Sequence, residues 1–339
     1  MKLQFSFMVV GTIALSLEPI VQVAAVPLAD LPREFASEFA SEFASHTSAI
    51  LTKDAEAAPR SAIELEAALT VQAQQITVKV RVGENWGSGI LIGRDGQTYT
   101  VLTNAHVLLG SDHYRIQAPD GQVYDAAPYT AVNFEDNDLA LVQFVSPNPE
   151  YGVATLGSAD PLDVGDAVFA SGFPVADDLA QENLTQSNGF KFTRGQVSLV
   201  SNQVLDGGYQ VGYTNEVEKG MSGGPVLNLR GEVVAINGIH ANPLWGDPYV
   251  FTDGSRPCEP LRQLLVESSL AIPVETAVRF VPDLMIVGDA TVQPLPSLEE
   301  TRSINWNFFV STWQTMQLQR RAEASQQCTQ SSEDADSVP

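Results

Sequence analysis

The sequence predicts an all-β protein built as two packed antiparallel β-barrels, followed by a C-terminal helical extension. Three observations lead there. From Gln75 onward, short β-branched runs alternate with turn signals. The runs number about a dozen over roughly 200 residues, too many for one small barrel and right for two. No amphipathic helix separates them, as the crossover connections of a parallel sheet would require.

The first element is not part of the barrels. Lys2, an apolar run from Phe5 to Leu17 and the small residues Ala24 and Ala25 have the order of a secretory signal over residues 1–25; the competing reading is a short buried helix. Residues 26–74 then read as a leader or propeptide. They contain EFAS three times between Glu34 and Ser45, which puts Phe35, Phe39 and Phe43 roughly along one helical face. The stretch up to Gln75 stays rich in Ala and Glu, consistent with a helix.

The strands follow in order. ITVKVRV alternates apolar and polar residues, SGILIG and TYTVLTN flank the turn Arg94-Asp95-Gly96, and HYRIQA and QVYDAA flank Pro119-Asp120-Gly121. DLALVQFV completes a first barrel over about 75–160. DAVFASGFP, GQVSLVSNQVL, YQVGYT, PVLNL, EVVAING and the strand opening SLAIPVETAVRF belong to a second over about 161–282, with the division near Gly157 to Val164. LRQLLVES reads as a short helix. Beyond residue 282 a Pro-containing linker leads to TRSINWNFFVSTWQTMQLQRR, where Trp306, Phe309, Trp313 and Met316 share one helical face that either docks on the barrels or contacts a partner or membrane surface. SSEDADSVP reads as a disordered tail.

Composition removes several function classes. A net charge of −23, with the Lys and Arg residues scattered, would repel a phosphate backbone, so nucleic acid is excluded as a partner. No apolar run after the signal approaches the roughly 20 residues of a membrane span, so no integral span is expected. The two cysteines, Cys258 and Cys328, permit one disulfide in an oxidising compartment, but their spacing does not establish it. Nothing like H-E-x-x-H occurs, so neither a metal nor another cofactor is expected.

The chemistry gathers around GMSGGPV, which fits G-x-S-x-G through Gly220, Ser222 and Gly224. A serine hydroxyl is hardly ionised at neutral pH and needs a base. Of the four histidines, His46 lies in the leader, His113 opens a polar strand and His240 follows the nucleophile; His106 ends the apolar strand of VLTNAHVLLG, where buried neighbours would fix its ring. The base needs an acceptor on its other nitrogen, and NFEDNDLALVQF offers Asp136 and Asp138, of which Asp138 directly precedes a strand that would anchor it. The order His106, Asp138, Ser222, with gaps of 32 and 84 residues, excludes an α/β-hydrolase, whose elbow serine comes before its acid and histidine.

Together GSGILI (Gly87 to Ile92), TNAHV (Thr103 to Val107), NDLALV (Asn137 to Val142), SGFP (Ser171 to Pro174), GQVS (Gly195 to Ser198), GMSGGPVLN (Gly220 to Asn228), GEVVAIN (Gly231 to Asn237) and LAIPV (Leu270 to Val274) make residues 75–282 resemble a chymotrypsin-like bacterial serine protease of the HtrA type. The resemblance implies a cleft between two chymotrypsin-like barrels, with His106 as general base, Asp138 as its orienter and Ser222 as nucleophile. It further implies an oxyanion hole from the amides of Gly220 and Ser222, and a secreted or periplasmic serine endopeptidase acting on protein or peptide substrates. The strand Ala235 to Ile239 would pair with substrate through Ile236, Asn237 and Gly238. Glu216, six residues before Ser222, stands where trypsin-type enzymes place an acid for Arg or Lys; a solvated carboxylate is the alternative. Asn237 replaces the histidine of glutamyl endopeptidases, so acidic specificity is not implied. The stretch after Pro282 is too short for the PDZ domain that follows in HtrA proteins. A different class also fits the residues: a protease-like binding protein whose site is blocked or unused.

Overall fold

The computed structural model describes residues 62–147, 151–175, 189–243 and 246–281, together with Gln319. The apolar N-terminal segment, the EFAS repeat, Cys328 and the aromatic face around Trp313 all lie outside the described residues. Among those residues no helix is long and apolar enough to cross a membrane, and no group of three or more His, Cys, Asp or Glu side chains could hold a metal ion.

A helix, α1, runs over residues 62–76 and leads directly into the first strand. Six strands, β1 (Thr77–Val82), β2 (Asn85–Asp95), β3 (Thr98–Thr103), β4 (Tyr114–Gln117), β5 (Val123–Pro128) and β6 (Ala140–Val145), close an antiparallel barrel in the order β1-β2-β3-β6-β5-β4. Six more, β7 (Ala167–Gly172), β8 (Lys191–Leu205), β9 (Tyr209–Tyr213), β10 (Pro225–Leu227), β11 (Val233–Ile239) and β12 (Ser269–Pro273), close a second in the order β10-β11-β12-β9-β8-β7. Helix α2 (Glu259–Glu267) precedes β12, and α3 (Val274–Phe280) follows it. Closure leaves no unpaired sheet edge, the usual route to aggregation. The expected two-barrel architecture is therefore present.

Alternation explains the strands. In β1 the residues Val78, Val80 and Val82 are buried while Lys79 and Arg81 are less so, the period-two pattern of one face turned inward. These valines join Leu91, Tyr99, Val101, Ile116, Val142 and Phe144 as the interior of the first barrel. Val168, Val197, Val211, Tyr213, Met221, Val226 and Val234 fill the second. A third cluster contains residues of both barrels and all three helices, among them Leu65, Leu69, Ile90, Leu102, Phe169, Tyr209, Ile236, Leu265 and Val274. It is this cluster that fixes the barrels relative to one another.

Helix α1 belongs to the folded unit. Ala62, Leu65, Leu69, Ala73 and Ile76, at steps of three and four, are all buried, so the helix presents one continuous apolar face. Its polar groups bind the second barrel: the buried amide of Gln72 donates to the Gly231 carbonyl at 2.7 Å, and Glu66 pairs with Arg194 at 3.0 Å. The boundary read from sequence at residue 75 thus divides a structural element, because the helix owes its place to contacts far away in the chain. At the other end, Cys258 immediately before α2 is disulfide-bonded. Replacing Leu69 by Ala should lower the free energy of unfolding by about 3 kcal/mol, measured by urea denaturation. Deletion up to residue 74 should remove cooperative unfolding, whereas deletion up to residue 60 should preserve it.

Candidate active site

Histidine 106 sits in a 3-10 turn, Ala105–Leu108, immediately after β3. β3 is buried along most of its length, so the turn projects from a fixed base. Asp138 lies two residues before β6, the strand paired with β3 from Thr98↔Val145 to Thr103↔Ala140. That register brings the end of one strand beside the start of the other. Consequently residues 32 apart in sequence become neighbours: His106 Nδ1 is 2.6 Å from Asp138 Oδ2, and the His106 amide donates to Asp138 Oδ1 at 2.8 Å. Asn104 donates its side-chain amide to the Asp138 carbonyl at 2.8 Å. A carboxylate only accepts, so Nδ1 carries the proton and Nε2 is left with a lone pair. Relative exposures of 44% for the His106 side chain and 18% for Asp138 place the ring toward solvent and the acid behind it.

Ser222 is held by the second barrel but leans on the first. Its carbonyl accepts from the Ser88 amide at 2.8 Å. Gly223 is in the left-handed region at φ +85°, and a Cβ there would meet the Ser88 carbonyl at 2.2 Å and Thr103 Oγ1 at 2.3 Å. Only glycine permits the serine turn to sit this close to residues 88 and 103, the latter three positions before His106. Gly87 makes the matching approach, wedged between Val107 and the Ser222 carbonyl.

The turn itself is ordered by neutral groups. The Ser88 hydroxyl donates to the Gly220 carbonyl at 2.8 Å and accepts from the Phe173 amide at 2.9 Å. Met221 is fully buried and its amide donates to the Glu218 carbonyl at 3.0 Å. Among the described residues, neither the Gly220 nor the Ser222 amide has an acceptor, although Met221 between them does. Two main-chain donors therefore flank the serine unpaired. The Ser222 hydroxyl donates to the Gly238 carbonyl at 3.0 Å, and among the described residues His106 Nε2 has no hydrogen-bond partner. The serine-to-histidine bond is thus not formed in this ground state. Such bonds are often long before substrate arrives.

The other expected site residues are placed as follows. Ile236 and Asn237 are fully buried in β11 between β10 and β12. The Asn237 side chain accepts from the Tyr213 hydroxyl at 2.6 Å and donates to the Ser171 carbonyl at 3.1 Å, while its amide and carbonyl bind Gly224 and Gly223. Its hydrogen-bonding capacity is spent inside the barrel. Gly238, whose carbonyl holds the serine hydroxyl, is the strand residue that reaches the site. Glu216 is exposed, at 77%, and pairs with Lys191 at 3.1 Å; Glu218 binds the same ammonium. Burial pulls the Lys191 ammonium down in pKa, but the two carboxylates outweigh it and the net shift is upward. His240 is half-buried, with Nδ1 2.9 Å from the Ala241 carbonyl.

Two contributors escaped sequence reading. Tyr209 of β9 donates its hydroxyl to Asp138 Oδ2, and Ser88 ties the serine turn to the first barrel. Tyr209 reads as an ordinary strand aromatic in YQVGYT; Ser88, inside GSGILI, carries no signal separating it from a turn residue.

A carboxylate–imidazole pair carried by the first barrel and a serine with unpaired amides carried by the second are the groups that a serine hydrolase uses. Residues 87–236 match the family model of the trypsin-like peptidase domain. The putative serine protease HhoA of Synechocystis sp. is 35% identical over 152 residues, covering 44% of this chain and 36% of that protein. Serine protease HTRA1 of Xenopus laevis is 32% identical over 161 residues, 44% of this chain and 30% of that protein. A probable periplasmic serine endoprotease, DegP-like, of Brucella suis biovar 1 is 32% identical over 162 residues, 47% of this chain and 28% of that protein. The chain thus spans about a third of the length of the curated relatives it matches. The crystal structure of Deg5 aligns with 66% of this chain and 95% of its own at 21% identity, with a TM-score of 0.46.

The close approach at Gly223 yields a test. Gly223→Ala should cost more than about 2 kcal/mol in urea denaturation, since it adds a clash to the left-handed penalty. Gly96→Ala, at φ +58° with no atom within 4 Å of the new methyl, should cost about 1 kcal/mol.

Proposed function

We propose that this protein is an exported serine endopeptidase that cleaves peptide bonds with His106, Asp138 and Ser222. The observation that carries the reading is the His106 Nδ1–Asp138 bond at 2.6 Å, made next to a serine turn packed against residues 88 and 103. On substrate binding the Ser222 hydroxyl swings from the Gly238 carbonyl toward Nε2 of His106. The serine oxygen attacks the scissile carbonyl carbon as its proton passes to Nε2, and Asp138 stabilises the imidazolium that forms. The negative charge that develops on the carbonyl oxygen is met by the Gly220 and Ser222 amides, which need no reorganisation because they already lack acceptors. Collapse of the tetrahedral intermediate expels the amine, which takes the proton from Nε2, and leaves an acyl-enzyme on Ser222. Water, activated by the same imidazole, then releases the acid and restores the hydroxyl.

Main-chain recognition of substrate would begin at Gly238 rather than at Asn237, whose groups are already used. Glu216 shares the single ammonium of Lys191 with Glu218, so the three groups keep one net negative charge while the Glu216 carboxylate is tied by an ion pair rather than free to receive an Arg or Lys side chain. Export rests on the N-terminal charge and apolar pattern and on the periplasmic description of the Brucella relative.

Profiling on a peptide library tests the reading. The chain freed of residues 1–60 should cleave peptides, and Ser222→Ala should lower kcat/KM by at least about a thousandfold while unfolding at the same urea concentration as wild type. Folded wild-type protein that cleaves nothing, or equal cleavage by the variant, would refute it.

A further inference from the structure

Oδ2 of Asp138 accepts two hydrogen bonds, one from His106 Nδ1 and one from the hydroxyl of Tyr209. The second donor comes from the opposite barrel, and the surrounding residues are arranged to admit it. Gly238 has no side chain; a Cβ there would fall 2.1 Å from Tyr209 Cε1 and 2.4 Å from its hydroxyl. On the other side of the ring, a Cβ on Gly207 would meet Tyr209 Cε2 at 2.9 Å. The phenol therefore fills a slot between two glycines. The same hairpin holds the main chain of the acid: the Gly207 carbonyl accepts from the Asp138 amide at 2.9 Å, and Asn137 and Gly207 form a parallel bridge.

We propose that Tyr209 is a positioning residue for the hydrolysis, acting through Asp138: its hydroxyl shares Oδ2 with the histidine and thereby limits how strongly that oxygen holds the imidazolium. This rests on the reading of His106, Asp138 and Ser222 as the catalytic groups. Tyr209 is suited to the task because it stays protonated; burial first, and then the Asp138 charge, push its phenol well above the ordinary tyrosine range. It can only donate to the carboxylate. Oδ1 is separately pinned by the His106 amide at 2.8 Å, so loss of the phenol hydroxyl leaves the carboxylate in place. What changes is the charge available on Oδ2.

The titratable groups facing Asp138 are His106 from the turn after β3 and Tyr209 from β9; Tyr213 lies behind Tyr209 and adds to its upward shift. Asp136 and Asp206 on the flanking loops are exposed. Removing the Tyr209 donor concentrates charge on Oδ2 and favours imidazolium over neutral imidazole. The base is then titrated away at higher pH than in the wild type. Activity lost at neutral pH should return on the alkaline plateau, a pattern that loss of packing alone does not produce.

The test compares pH profiles of kcat/KM for wild type, Tyr209→Phe and a variant carrying 3-fluorotyrosine at the same position, whose more acidic phenol is the stronger donor. Tyr209→Phe should move the acid limb to higher pH by about half a unit, roughly a threefold loss near the limb that closes at alkaline pH. The fluorinated variant should move it to lower pH. Superimposed profiles, or a loss uniform across pH, would overturn the proposal. A proton NMR measurement of the His106 Nδ1–H resonance reads the same bond without turnover, and Tyr209→Phe should move it downfield. An unmoved resonance would refute the role of Tyr209, whereas a downfield shift in a protein that cleaves no peptide would refute the endopeptidase reading alone.

Discussion

The interaction on which the site depends is the sharing of one carboxylate, Asp138, between the two barrels. Its backbone belongs to the first barrel, beside the strand pair that also carries His106. Its amide and one oxygen are bound by the β8–β9 hairpin of the second, through Gly207 and Tyr209. A carboxylate at a domain junction is stable only if its lone pairs are met, and here both oxygens accept hydrogen bonds. The spacing of the barrels is thereby converted into the position of an imidazole. The apolar cluster spanning both barrels and the helices supplies the rigidity that this conversion needs.

The turn that carries Ser222 obeys a related constraint. Its conformation is set without a charged partner: Met221 is buried in the second barrel, the Ser88 hydroxyl bridges the Gly220 carbonyl and the Phe173 amide, and glycines 87 and 223 remove the side chains that would hold the barrels apart. The result is a turn in which, among the described residues, the Gly220 and Ser222 amides have no acceptor. Buried main-chain donors are ordinarily paired, and under the proposed reading these two amides are held for negative charge that develops only during reaction.

Much of this was readable from sequence, for physical reasons. Strands such as β1 declare themselves by alternation, and the turns at Asp95-Gly96 and Asp120-Gly121 punctuate them. His106 and Asp138 stood out because each adjoins a strand that would immobilise it. Other features depend on partners that no local pattern encodes. Helix α1 carries an apolar face in its own sequence, but that the face packs on barrels formed by residues after it becomes visible only in three dimensions. The ring of Tyr209 acquires meaning from Gly238, a residue whose contribution is the space it leaves. Asn237 lies on the expected substrate strand, yet its side chain closes a hydrogen-bond network with Tyr213 and Ser171. Glu216 has the spacing of a specificity acid, and its ion pair with Lys191 of β8, shared with Glu218, is a contact that spacing does not announce.

The most direct test of the account is to locate the covalent adduct after treatment with a fluorophosphonate, by peptide mass mapping of wild type and His106→Ala. The account predicts a single phosphonylated residue, Ser222, in the wild type and no adduct in the variant. An adduct on another serine, or undiminished modification of Ser222 without the imidazole, would contradict it.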